Sequence, residues 1–164
     1  MPSLLDLAAS HPSRTLAVGE TLITQGREGG DLFILVEGEL RVERDGVEIA
    51  TISGKGTVIG EMAVILGTPS TATVKAISPT TVHVIRDAHD YLQTDPALSF
   101  QIAGLIAGRL NATSAYLVKL SRDHAGKPEG HLLGRILAAL NGPGGNGDTV
   151  AIARRDLFDR SSGV

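Results

Sequence analysis

The chain of 164 residues, 42% hydrophobic and 20% charged, can bury one good core but hardly two. Its net charge of −3 exerts no general pull on nucleic acid or anionic membrane, and the lack of cysteine excludes disulfides and thiolate metal sites and fits a cytoplasmic location. With 3% aromatics the core must be built from Val, Ile, Leu and Ala, and twenty glycines favour a β-rich fold with tight turns over a helical bundle.

The opening Met1-Pro2-Ser3-Leu4 lacks the basic-then-apolar pattern of a signal peptide, and residues 3–9 predict a short helical lead-in. From Thr15 to about Arg86, short strands are expected between glycine turns at Gly19, Gly26, Gly29-Gly30, Gly38, Gly46, Gly54, Gly56 and Gly60. Leu32 to Val36 is a continuous apolar run, as in a buried strand. Glu39 to Glu43 alternates, with Leu40 and Val42 inward. Asp45-Gly46 between two alternating runs predicts a hairpin with a type I′ turn. Ala72, Val74 and Ala76, then Val82 and Val84, continue the alternation. The pattern predicts a mainly β fold, a β-roll or jelly roll.

At Asp87 the period changes. Asp87 is expected to cap a short helix with Asp90 in its first turn, and Asp95-Pro96 to start a longer one running to about Arg122. Ile102, Ile106, Leu110, Thr113, Leu117 and Leu120 make one stripe, flanked by the small residues Ala103, Gly104, Ala107, Gly108 and Ala112. Such a helix is suited to pairing with a second copy of the chain, or else to packing only on its own β-roll. Gln101, Arg109, Asn111 and Lys119 interrupt the apolar stretch from Leu98 to Leu120, so no membrane span is expected. Residues 123–130 read as a hinge, and residues 131–164 as a short helix, a Gly/Pro/Asn loop and a weak apolar tail too small to fold alone.

The segment Ile59-Gly60-Glu61-Met62-Ala63, continuing to Gly67-Thr68-Pro69-Ser70-Thr71-Ala72-Thr73-Val74, carries the chemistry. Free N–H groups at a helix start attract an anion, and glycine lets a ligand approach the backbone. The adjoining carboxylate tolerates an anion only if it accepts a hydrogen bond from a hydroxyl of the same ligand. A phosphate beside a sugar hydroxyl suits that spacing, and a simple capped turn suits it too.

The segment resembles the phosphate-binding cassette of cyclic-nucleotide-binding domains, Phe-Gly-Glu-Leu-Ala followed by Pro-Arg-Ala-Ala-Thr-Val. Gly19-Glu20-Thr21-Leu22-Ile23, Gly26, and Asp31 through Leu40 resemble the glycine pattern that opens the same family. The resemblance spans roughly Leu16 to Leu120 and implies the family's double-stranded β-helix jelly roll. It also implies that Glu61 accepts the ribose 2′-hydroxyl, and that amides around Met62, Ala63, Thr71 and Ala72, next to Gly60, receive the cyclic phosphate. Ser70 stands where the family has the phosphate-binding arginine. Losing one charge-assisted hydrogen bond of about 1.5–3 kcal/mol implies roughly 10- to 150-fold weaker binding.

Arg109-Leu110-Asn111-Ala112-Thr113-Ser114 resembles the helix of catabolite activator proteins whose Thr and Ser meet the adenine, one from each subunit. Arg109 lies one turn before Thr113 on the same face. The alternative is that Thr113 and Ser114 only line a helix contact. Leu133 to Leu137 and Val150 to Leu157 resemble the entry to the DNA-binding domain of those regulators, but the sequence reaches Val164 where a recognition helix would begin. Arg154, Arg155 and Arg160 are then a solvated face, and DNA binding by this chain is not expected.

The five histidines show no metal-ligand spacing, and no nucleophile elbow or P-loop occurs, so neither a metal nor catalysis is expected. The expected organisation is a binding domain with its long helix over 1–122, a hinge over 123–130 and a helix-turn-helix-like remnant over 131–164. The expected function is that of a sensor for cAMP rather than cGMP, acting as a homodimer. A ligand-free interaction module of the same fold and a shortened transcription regulator are the alternatives.

Overall fold

The computed structural model of the chain describes residues 2–126 and Ile136. The chain divides into two units, residues 1–103 and 104–164, described in turn. The expectations for residues 127–164, including the remnant helices and Arg154, Arg155 and Arg160, lie outside the described residues.

The first unit opens with α1 (Leu4–Ala8), capped by a reciprocal pair in which Ser3 Oγ accepts from the Asp6 N–H and the Asp6 carboxylate accepts from the Ser3 N–H. Eight strands follow: β1 (Ser13–Leu16), β2 (Thr21–Ile23), β3 (Leu32–Glu37), β4 (Leu40–Arg44), β5 (Val47–Ile52), β6 (Val58–Ile59), β7 (Thr73–Ala76) and β8 (Thr80–Ile85). They form two four-stranded antiparallel sheets in the orders β1-β8-β3-β6 and β2-β7-β4-β5. Each sheet pairs an early strand with a late one, β1 with β8 in the first and β2 with β7 in the second, so both depend on contacts between distant parts of the segment. This is the expected jelly roll.

Alternation explains the core. Phe33 and Leu35 of β3, Val82 and Val84 of β8, Leu40 of β4 and Val74 and Ala76 of β7 meet between the sheets. The other face of β3 carries Leu32 and Ile34, both fully buried, with α1 packed on β3 and β8. A strand covered on both faces needs no polar side, which accounts for the unbroken apolar run. The β4–β5 hairpin turns at Asp45 (φ 52°) and Gly46 (φ 77°), with Arg44 opposite Val47, as a two-residue type I′ turn requires.

Between β6 and β7 lies α2 (Glu61–Leu66), and after β8 come α3 (Ala88–Thr94) and α4 (Pro96–Asp123). Asp95 caps α4 as expected, its Oδ1 accepting from the Leu98 N–H at 2.9 Å, and Leu98 and Ile102 are buried. Asp87 is a correction. It stands at the N-cap of α3 but in the left-handed region (φ 48°) and makes no side-chain cap bond. A capping side chain reaches the next turn's N–H groups from extended backbone, and the left-handed conformation aims it elsewhere. The junction is held instead by the Ala88 N–H donating to the Gly30 carbonyl at 2.7 Å.

In the second unit, residues 104–123 are helical. Along the expected stripe Leu110 is exposed, whereas Ile106, Leu117 and Leu120 are half-buried; Tyr116 beside it is exposed. Among the described residues no helix is long and apolar enough to cross a membrane.

Candidate functional site

A hollow of about 440 Å³ opens in the first unit, within the size range of small-ligand sites. Two separated stretches wall it. One is the loop from Thr24 to Asp31 between β2 and β3. The other runs from Gly60 at the start of α2 to Ser70 before β7, with Asp87 contributing at the end of β8.

Local hydrogen bonding explains why these stretches meet. Arg27 closes a turn by donating its N–H to the Thr24 carbonyl at 3.2 Å, with Gly26 in the left-handed region that a type II turn demands at its third position (φ 78°). That turn is zipped to the second stretch. The Gly26 N–H donates to the Ser70 carbonyl at 2.8 Å, the Ser70 N–H to the Arg27 carbonyl at 2.9 Å, and the Gln25 N–H to Thr73 Oγ1 at 3.0 Å. Gly29 lies so close that a Cβ there would sit 3.3 Å from Ser70 Oγ.

Gly60 forms the N-cap of α2 with φ 92°. A Cβ on it would lie 3.1 Å from the Asp31 carbonyl oxygen and 3.4 Å from Ile23 Cδ1. Glycine is therefore required both for the backbone conformation and for the close approach of α2 to the start of β3. Glu61, the first helical residue, is only 6% exposed. A carboxylate so buried is costly in an apolar setting, and the positive end of a helix offsets part of that cost. The N–H groups of Met62 and Ala63, in the first turn, have no acceptor one turn back within the helix. Gly67, also left-handed, ends the helix, and the Thr68 N–H returns to the Ala63 carbonyl at 3.2 Å.

Of the residues singled out from sequence, Gly60, Ala63 and Ser70 line the hollow together. Glu61, buried beside Gly60, and Met62, half exposed, both fall outside the lining. Thr71 and Ala72 follow Ser70, half-buried and just ahead of β7. Arg109, Thr113 and Ser114 belong to the second unit. There the Thr113 hydroxyl donates to the Arg109 carbonyl at 2.9 Å, leaving its oxygen able to accept, and Ser114 is half-buried. Sequence reasoning missed Arg27, Glu28, Asp31 and Asp87 as lining residues. The only local signal was the pair of glycines at 29 and 30 beside a charged Arg27-Glu28 step, which marks a loop without saying what it faces.

Among the described residues no group of three or more His, Asp or Glu side chains is arranged to hold a metal ion.

Comparison with known proteins gives this geometry a family. The cyclic nucleotide-binding domain model matches residues 13–90. The cGMP-dependent protein kinases egl-4 of Caenorhabditis briggsae and Caenorhabditis elegans are each 36% identical over 67 residues. That is 41% of this chain but only 9% and 8% of the kinases. Among solved structures, cAMP-bound PfPKA-R superposes with a TM-score of 0.56 at 26% identity, over 70% of this chain and 39% of that one. PKAR CBD2 bound to Sp-2Cl-cAMPS superposes with a TM-score of 0.52 at 27% identity, over 66% of this chain and 70% of that one. The matched segment takes in all eight strands and both walls of the hollow, and residues 13–90 therefore belong to the cyclic nucleotide-binding domain family.

Proposed function

We propose that this chain is a cyclic-nucleotide sensor taking cAMP in preference to cGMP, with the sugar-phosphate in the hollow beside Glu61. The observation that carries the reading is the buried Glu61 next to Gly60, adjoining an open hollow lined by Gly60, Ala63 and Ser70. In this reading the Glu61 carboxylate accepts the ribose 2′-hydroxyl. The amides of Met62, Ala63, Thr71 and Ala72 receive the cyclic phosphate. Preference for cAMP is supported by the two cAMP-type complexes among the structures it resembles. No catalytic step is assigned to the site, and no contact with DNA or membrane.

The response we propose is a shift of the long helix, in a homodimer where Thr113 and Ser114 meet the base. Two observations support a route out of the site. His89 Nδ1 of α3 lies 3.4 Å from the Val64 carbonyl of α2, and Ser99 Oγ at the start of α4 donates to the Leu92 carbonyl of α3 at 2.5 Å. Reordering α2 on binding would thus bear on α3 and on the first turns of α4. Ligand moves that equilibrium only by its difference in affinity between the two states. Support for self-association is the exposure of Leu110 and Tyr116 on a helix rich in small residues.

The test is displacement of a fluorescent cyclic nucleotide by cAMP and by its 2′-deoxy analogue. A hydrogen bond to a charged group contributes about 1.5–3 kcal/mol, so cAMP should compete roughly 10- to 150-fold better. Glu61→Ala should abolish that difference. Equal competition by the two ligands against the parent would refute the assignment of Glu61.

A further inference from the structure

We infer that Arg27 supplies the cation for the phosphate, a role that no residue of the Ser70 segment can fill. The inference rests on the proposed function above and names a binding residue within it. Four ionisable side chains line the hollow: Arg27, Glu28, Asp31 and Asp87. Three are carboxylates, so an anionic ligand enters against a net negative lining, and Ser70 offers only a neutral hydroxyl. Arg27 is the one cationic residue among those lining the hollow. Its side chain is exposed and takes part in none of the ion pairs among the described residues, which engage Arg14, Arg41 and Lys75.

Its backbone, by contrast, is held firmly. The turn bond to Thr24 fixes its N–H and the Ser70 N–H fixes its carbonyl, while the preceding Gly26 is bonded to Ser70 as well. Gln25, two residues earlier, exchanges two hydrogen bonds with Asp45, from its Nε2 to Asp45 Oδ1 at 2.7 Å and from the Asp45 N–H to its Oε1 at 2.9 Å. The Arg27 Cα is thus anchored directly beside residue 70, and ordering its side chain costs only rotamer freedom. A guanidinium starting there can present its planar fork to a phosphate arriving between Ser70 and the start of α2.

The test is calorimetric titration of cAMP into the parent and the Arg27→Ala, Arg27→Lys, Ser70→Arg and doubly substituted Arg27→Ala/Ser70→Arg chains. The ligand-free melting temperature of each is measured alongside. Arg27→Ala should bind roughly 10- to 150-fold more weakly with an unchanged melting temperature. Arg27→Lys should keep most of the affinity, and Ser70→Arg should recover more in the Arg27→Ala background than in the parent.

Salt gives an independent reading. As KCl rises from about 0.05 to about 0.5 M, the affinity advantage of the parent over Arg27→Ala should shrink, because the attraction of the guanidinium is screened in the parent alone. Arg27→Ala binding should strengthen, because only the carboxylates remain to be screened. Equal affinity and equal salt response in parent and Arg27→Ala would overturn the inference and leave the proposed function standing. So would losses of the same size in Arg27→Lys and Arg27→Ala with lowered melting temperatures, which mark a structural role. If neither the parent nor Ser70→Arg binds, the proposed function itself falls.

Discussion

Replacing Gly60 with alanine puts the geometry of the site to a quantitative test. The residue has φ 92°, where an L side chain costs roughly 1–2 kcal/mol. The new Cβ would also lie 3.1 Å from the Asp31 carbonyl and 3.4 Å from Ile23 Cδ1. The first neighbour is backbone, its loop pinned by the Ala88–Gly30 hydrogen bond, so it yields little. Overpacking of this kind adds about 1–2 kcal/mol, for a total of roughly 2–4 kcal/mol. Gly67 is the matched control: its φ is 62°, but a Cβ there meets nothing within 4 Å. Gly67→Ala should therefore cost only the conformational part, about 1–2 kcal/mol, the gain from a less flexible unfolded chain being common to both variants. For a domain near 100 residues each kcal/mol lowers the melting temperature by about 4–8 °C. Scanning calorimetry without ligand should thus show Gly60→Ala melting about 4–16 °C below Gly67→Ala, the effect of the overpacking alone. Equal shifts in the two variants would mean that α2 does not press against the start of β3, and the described wall of the hollow would be wrong.

Further outcomes are expected elsewhere. Truncating the fully buried Leu35 to alanine should cost about 2–5 kcal/mol, read from the urea midpoint, because β3 is covered on both faces. Arg14 and the Ala17 N–H hold the Glu20 carboxyl below its ordinary range. A depressed folded value gives stability that is present above the free carboxylate value and lost as pH falls through the folded one. Acid unfolding of Glu20→Gln should accordingly be less pH-dependent in that window than the parent's, and an identical profile would discount the pair. Ser70→Arg should bind cAMP more tightly in calorimetry, by up to about tenfold if Arg27 already neutralises the phosphate. Light scattering should give twice the chain mass, and Leu110→Glu, at an exposed point of the helical stripe, should shift it toward the monomer.

Local chemistry made much of the fold readable. Asp45-Gly46 demanded a hairpin, Asp95-Pro96 a helix start, and the alternation at Val74, Ala76, Val82 and Val84 assigned the inner faces, because each depends on residues close in the chain. Asp87 misled because the same residue type serves as a cap or as a left-handed corner, and the choice is made by the distant Gly30 carbonyl. The site divides in the same way. Gly60, Glu61 and Ser70 sit within one continuous motif, so sequence revealed them. Arg27 and Asp31 line the same hollow as Gly60 and Ser70 only because a turn at Gly26 is zipped to a residue more than forty positions later, and nothing local announces such a pairing.

Titration of cAMP into the purified chain, with its ring-opened monophosphate as control, addresses the central claim most directly. A buried carboxylate beside an open hollow that retains amides and one guanidinium should give saturable heat in the micromolar range for the cyclic ligand, and far weaker heat for the linear one. No heat at millimolar cAMP, from a chain shown to be folded, would contradict it.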